Sequence, residues 1–122
     1  MALVLVVDDD SEVLAVLREA LEGAGHRVVT ADDGREGLKV YHAQHPDLII
    51  TDIFMPGRSG IDLVLQLGRE TPRPKMIAIS GVAGQEFLDA AAQVHVGRAF
   101  TKPFDVDEVV RAVDAMVNGH SG

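Results

Sequence analysis

Five side chains in this sequence have the types and the placement to handle a phosphoryl group. Asp8 and Asp9 close an apolar run that begins at Leu3, Asp52 interrupts the tip of a second, Ser80 ends a third, and Lys102 follows a fourth. Carboxylates gathered in one place raise one another's pKa unless a cation neutralises them, and hard oxygen ligands with room for water suit Mg²⁺ best. Asp8, Asp9 and Asp52 are therefore candidate Mg²⁺ ligands. A carboxylate is a weak nucleophile, yet beside a divalent ion it can attack phosphorus in line while the metal and a nearby cation absorb charge on the equatorial oxygens. Asp52 is assigned that phosphoacceptor role. Lys102 supplies a mobile point charge for one phosphate oxygen and Ser80 a hydroxyl for another, with Gly81 letting the backbone approach closely.

Such a site exists only if the fold brings the ends of distant segments together. Leu3 to Val7 is an unbroken β-prone run, which reads as a strand buried on both faces with its carboxyl end open to water. Asp10 or Ser11 then caps a helix whose Leu14, Leu17, Leu21 and Ala24 keep an amphipathic spacing up to Gly25. Arg27 to Thr30 predicts a second strand, and Asp32-Asp33-Gly34 opens a helix that carries Leu38 and Tyr41 toward the core and stops at Pro46-Asp47. Leu48 to Ile53 is the next buried strand, followed by a turn at Met55-Pro56-Gly57 and a helix from Gly60 to about Gly68. The stiff Thr71-Pro72-Arg73-Pro74 connector leads to a strand over Lys75 to Ser80. An Ala-rich helix is expected over Ala83 to Gln93, and a short strand over Arg98 to Thr101. Asp105 with Glu108 opens the last helix like a capping box, and Val106, Val109, Val110, Val113 and Val117 mark its apolar face.

Five strands alternating with five helices imply an α/β fold with a doubly wound (βα)5 arrangement, because each parallel crossover needs a helix-length, right-handed connection. In open sheets of this kind the site lies beyond the carboxyl ends of the strands. Each of the five chemically interesting side chains sits at such an end.

Composition limits the alternatives. A chain of 122 residues fits one domain, taken as 1–122 with 119–122 as a short tail. The apolar run from Ala2 to Val7 is far below the roughly 20 residues of a spanning helix, and there is no cysteine for disulfides or thiolate chemistry, so a cytoplasmic protein away from membranes is expected. Eleven Lys and Arg against 19 Asp and Glu give a net charge of −8, which repels nucleic acid and anionic lipid. The five histidines, His26, His42, His45, His95 and His120, fall on different elements and are expected at the surface.

In Val6-Val7-Asp8-Asp9, in Thr51-Asp52-Ile53-Phe54-Met55-Pro56-Gly57-Arg58-Ser59-Gly60, in Ile79-Ser80-Gly81 and in Thr101-Lys102-Pro103-Phe104, the sequence resembles response regulator receiver domains. The resemblance covers nearly the whole chain. It implies a flavodoxin-like three-layer sandwich with strand order 2-1-3-4-5, Asp52 as phosphoacceptor, Asp8 and Asp9 as acidic pocket residues, Ser80 as switch hydroxyl and Lys102 as pocket lysine. It also implies a metal contact from the backbone carbonyl of Phe54 and a cis bond between Lys102 and Pro103. The implied function is two-component signalling: a sensor histidine kinase or histidine phosphotransfer protein donates the phosphoryl group, and a downstream protein target responds. The domain is not an enzyme in the ordinary sense, but is expected to catalyse its own phosphorylation and slow dephosphorylation.

Two features depart from the family pattern. The aromatic switch residue expected three positions before the pocket lysine is replaced by Ala99, with Phe100 beside it. Phosphorylation is still expected to draw Ser80 inward and to shift the face formed by the helix at Ala83 to Gln93, the fifth strand and the last helix, a face suited to homodimer contacts as well. Phe54 and Val82, two residues beyond Asp52 and Ser80, flank the approach to an acyl phosphate and cannot orient water, so a long-lived phosphoryl group is expected.

Three rival functions fit less well. A haloacid dehalogenase-type phosphatase could claim Asp8-Asp9-Asp10, but it wants a hydroxyl where this chain has Glu12 and usually needs a larger fold with a cap. A receiver-like adaptor that is never phosphorylated has no use for a complete acidic pocket with Lys102. A nucleotide or flavin module lacks its glycine fingerprint here, since neither G-x-G-x-x-G after the first strand nor G-x-x-x-x-G-K-[ST] occurs.

Overall fold

The computed structural model of the chain describes residues 2–53, 60–81 and 96–118. Strands β1 (Leu3–Val7), β2 (Arg27–Ala31), β3 (Leu48–Asp52), β4 (Lys75–Ser80) and β5 (Arg98–Thr101) form one parallel sheet of order β2-β1-β3-β4-β5. Among the described residues, helices α1 (Ser11–Gly23), α2 (Gly34–Gln44), α3 (Gly60–Leu67) and α4 (Val106–Val117) accompany them. The expected helix at Ala83 to Gln93 lies outside the described residues. Strand alternation sorts the core into two layers. Val4 and Val6, Leu48 and Ile50, and Ile77 and Ile79 face a layer closed by Leu17 and Leu21 of α1 and Val109 and Val113 of α4. Leu5 and Val7, Ile49 and Met76 face the other, closed by Tyr41 of α2 and Leu63, Val64 and Leu67 of α3. Because the central strands bury both faces, only their carboxyl ends are left to carry polar chemistry.

Helix starts follow local side-chain chemistry. The Asp10 carboxylate accepts from the Glu12 N–H at 2.9 Å, Asp33 from Glu36 at 2.8 Å, and Asp105 from Asp107 at 2.9 Å and Glu108 at 3.4 Å. Each satisfies an amide that the first turn would otherwise leave without an acceptor. Helix α2 lies close on the sheet because Gly37 has no side chain: a Cβ there would stand 3.0 Å from Val7 Cγ2 and 3.2 Å from Leu63 Cδ2. The Thr71–Pro72 and Lys102–Pro103 bonds are both cis.

The surface placement expected of the histidines fails at His26, which is buried. Its Nδ1 accepts from the Ala2 N–H at 3.2 Å and its Nε2 lies 2.6 Å from Asp114 Oδ1 on α4. That pairing fixes the tautomer: Nδ1 is the acceptor, so Nε2 carries the proton and donates it to the carboxylate. The ring thereby ties the start of β1 to the last helix at the end of the sheet remote from Asp52.

Candidate functional site

Val7 ends β1 and Asp8 turns away from it, its N–H donating to Ala31 of β2 at 3.1 Å. The side chain then closes back on the chain, with Oδ1 accepting from the Asp10 N–H at 2.9 Å. Asp52 is the last residue of β3, Ser80 the last of β4, and Lys102 follows β5 directly. The Lys102 N–H donates to the Ser80 carbonyl at 2.7 Å, which fixes where the lysine side chain departs from the sheet edge. From there its Nζ reaches Asp8 Oδ2 at 2.9 Å and Asp52 Oδ2 at 2.8 Å. One ammonium thus bridges two carboxylates that are almost wholly removed from solvent.

Asp9 completes the group. Carboxylate oxygens of Asp8, Asp9 and Asp52 all lie within 4.8 Å of one another, close enough to share one cation, with Asp9 exposed at the mouth and the other two buried. Three carboxylates against one ammonium leave the pocket with an excess of two negative charges, which a divalent ion would balance. The all-carboxylate donor set, open on one side to water, fits Mg²⁺ rather than a metal that prefers nitrogen or sulfur. Burial pushes the Asp8 carboxyl above its ordinary value, and the Asp10 N–H and the Lys102 ammonium only partly counter it. Burial works in the opposite direction on Lys102, but hydrogen bonds to Asp52 and Asp8 outweigh it and hold the ammonium above its usual range.

The other expected positions fall as follows. Ser80 is fully buried. Gly81 is exposed, and a Cβ there would lie 4.0 Å from Lys102 Cδ. Ala99 is exposed on β5, whereas Phe100 is buried in the layer shared with α1 and α4 and carries the Arg98 guanidinium 4.9 Å above its ring. Phe54 and Val82 lie outside the described residues. Beside the pocket, a predominantly apolar groove of about 280 Å³ runs between α1 and the start of α4, lined by Val13, Val16, Pro103, Phe104 and Val106. Sequence reasoning passed over Thr51. The signal was a hydroxyl inside an otherwise apolar buried run, and it donates to the Asp52 carbonyl at 3.0 Å.

Comparison with known proteins supplies the context for this geometry. Residues 4–114 match the family model described as the response regulator receiver domain. The chain is 37% identical over 119 residues to the DNA-binding transcriptional regulator NtrC of Escherichia coli (strain K12), an alignment that takes in 95% of this chain and 25% of NtrC. It is 34% identical over 116 residues to the alkaline phosphatase synthesis transcriptional regulatory protein PhoP of Bacillus subtilis (strain 168), covering 93% of this chain and 48% of PhoP. The chain therefore spans about a quarter to a half of the length of these relatives. Among solved structures, a response regulator receiver domain protein from Clostridium thermocellum superposes with a TM-score of 0.87 at 28% identity, covering 97% of this chain and 95% of that one.

Proposed function

This chain belongs to the response regulator receiver domain family, and on that premise we propose that Asp52 takes a phosphoryl group from a phosphohistidine, in a reaction supported by Mg²⁺. The observation that carries the proposal is the Lys102 ammonium bridging Asp8 and Asp52 at 2.9 and 2.8 Å, with Asp9 beside them. An oxygen of Asp52 attacks phosphorus, the new O–P bond forms as the donor N–P bond breaks, and the donor nitrogen leaves with the electron pair. Bound Mg²⁺ would supply charge neutralisation for the phosphoryl oxygens, held by Asp8, Asp9, Asp52 and the backbone carbonyl of Phe54. Lys102 takes up a phosphoryl oxygen as its bond to Asp52 is given up, and the Ser80 hydroxyl and Gly81 backbone serve the others. Hydrolysis by water returns the carboxylate and releases inorganic phosphate, and it is expected to be slow because the side chains two residues beyond Asp52 and Ser80, Phe54 and Val82, are apolar and cannot orient a water.

A sensor histidine kinase or histidine phosphotransfer protein is the donor in this scheme. In this reading its phosphohistidine enters over the pocket mouth, and the neighbouring groove lined by Val13, Val16, Phe104 and Val106 would suit the apolar face of a donor helix. The phosphorylated form then acts on a downstream protein, or on a second copy, through the face around β5 and α4. Among the described residues no helix is long and apolar enough to cross a membrane; a cytoplasmic location belongs to the same proposal.

Incubation with Mg²⁺ and a small phosphodonor, followed by intact mass measurement, should show the gain of one phosphoryl group in the wild type and none in Asp52→Asn. An equal gain in both would move the acceptor elsewhere. Mg²⁺ alone should also register: at ten times its dissociation constant it is expected to stabilise the folded chain by about 1.4 kcal/mol, seen as a higher denaturation midpoint. No shift, or the same shift in Asp9→Asn, would remove the acidic pocket as the binding site.

A further inference from the structure

Strand β3 reads Leu48-Ile49-Ile50-Thr51-Asp52, and all five residues are buried. Thr51 is fully enclosed. A valine of the same shape would suit that position better on packing alone, because a buried hydroxyl gives up its hydration and must be compensated by a hydrogen bond. The compensation is local: Thr51 Oγ1 donates to the carbonyl oxygen of Asp52 at 3.0 Å. The N–H of Ile53 donates to the Ile79 carbonyl of β4 at 2.9 Å. These two bonds engage the same object, since the carbonyl of Asp52 and the N–H of Ile53 belong to one rigid peptide plane.

We infer that Thr51 is a positioning residue for phosphoryl acceptance, its hydroxyl acting with the Ile79 carbonyl to fix the peptide between Asp52 and Ile53 and so the direction in which the Asp52 carboxylate is presented. The inference rests on the proposed role of Asp52 and adds to it how that residue is aimed. The pairing between β1 and β3 stops at Val7 and Thr51, whereas the pairing between β3 and β4 continues to Asp52 and Ile79. At the strand's end, therefore, the plane is braced from β4 on one side and by the Thr51 hydroxyl as the β1 ladder runs out. The orientation of that plane sets ψ of Asp52, and the favoured side-chain rotamers depend on φ and ψ. In-line attack on phosphorus tolerates little misalignment of the nucleophile. A hydroxyl that touches neither donor nor metal thereby controls the rate.

The test separates hydroxyl from shape. With a small phosphodonor and saturating Mg²⁺, Thr51→Val is expected to lower the limiting rate of phosphorylation roughly 10-fold while leaving the half-saturating donor concentration unchanged. Thr51→Ser, which keeps the hydroxyl and loses the methyl, should stay within about twofold of wild type. Should Thr51→Val not fold, Thr51→Ala against Thr51→Ser makes the same comparison, since both lack the methyl and only one bears the hydroxyl. Equal rates with and without the hydroxyl would overturn the inference, as would a serine variant as slow as the valine. A wild type that takes up no phosphoryl group would instead sink the proposed function beneath it.

Discussion

Replacing Lys102 with alanine is expected to slow phosphorylation of Asp52 by roughly 10²–10³-fold with a small phosphodonor, the loss typical of deleting one preorganised donor to a developing oxyanion. The geometry explains why so much rests on one side chain. Lys102 contacts both Asp8 and Asp52, and it is carried by a strand end whose backbone is itself tied to Ser80. Arginine would not substitute well: its rigid fork cannot follow a phosphoryl group the way a single ammonium on a flexible stem can. Single-turnover kinetics at saturating Mg²⁺ measure the effect, and a Lys102→Ala variant within threefold of wild type would show that the ammonium is dispensable.

The same substitution has a stability signature whose sign follows from the two shifts. Lys102 holds its proton more tightly in the folded chain, so its contribution is present below its unfolded pKa and is lost as pH rises through the higher folded value. Asp8 is also raised, mainly by burial, which means its ionised form weakens the fold as pH climbs from the unfolded value through the folded one. Removing Lys102 takes away one of the two influences holding Asp8 down. The deficit of the alanine variant relative to wild type should thus be greatest near neutral pH, about 1–3 kcal/mol, and shrink on acidification as the Asp8 carboxyl protonates. Mg²⁺ should recover part of it at neutral pH, by supplying the missing positive charge.

What the sequence made legible was whatever a short apolar run followed by a polar residue can express. Val4 to Val7 running into Asp8, Leu48 to Thr51 into Asp52, and Met76 to Ile79 into Ser80 each announce a buried strand with chemistry at its tip, and the parallel α/β class follows from the helices between them. Strand order came from family resemblance, because periodicity along a strand carries no information about which strand lies beside it. His26 was misplaced for a related reason. Its neighbours Gly25 and Arg27 suggest a surface turn, and its burial depends on Asp114, 88 positions away on α4. Thr51 was passed over because a hydroxyl in a β-prone run carries no signal until its acceptor is known to be the peptide of Asp52. The bridging of two carboxylates by Lys102 was likewise out of reach, since the residue types predict attraction but not that one ammonium sits between both.

Phe100 poses the question of whether an aromatic next to Ala99 can take over the missing switch, and strand geometry answers it. Successive residues of β5 point to opposite faces of the sheet. Phe100 is 8% exposed and packs in the layer of Ile77, Ile79, Val109 and Val113, whereas Ala99 is exposed. A ring held among β4 and α4 side chains cannot swing to the face that Ala99 occupies without opening the core. Phe100→Ala is therefore expected to behave as a core truncation, costing about 3–5 kcal/mol in equilibrium denaturation. Within the fraction that remains folded, its phosphorylation rate should match wild type, since neither the Lys102 bridge nor the Thr51 bond involves the ring. Ala99→Tyr, by contrast, should change stability by less than about 0.5 kcal/mol, as exposed positions usually do. If Phe100→Ala instead left stability unchanged and abolished the amide shifts expected from a phosphoryl mimic between Ser80 and Phe104, the ring would be a moving part after all. The expected result removes Phe100 as a lever and leaves the buried Ser80, whose carbonyl accepts from the Lys102 N–H, as the position at which a switch without an aromatic is to be sought.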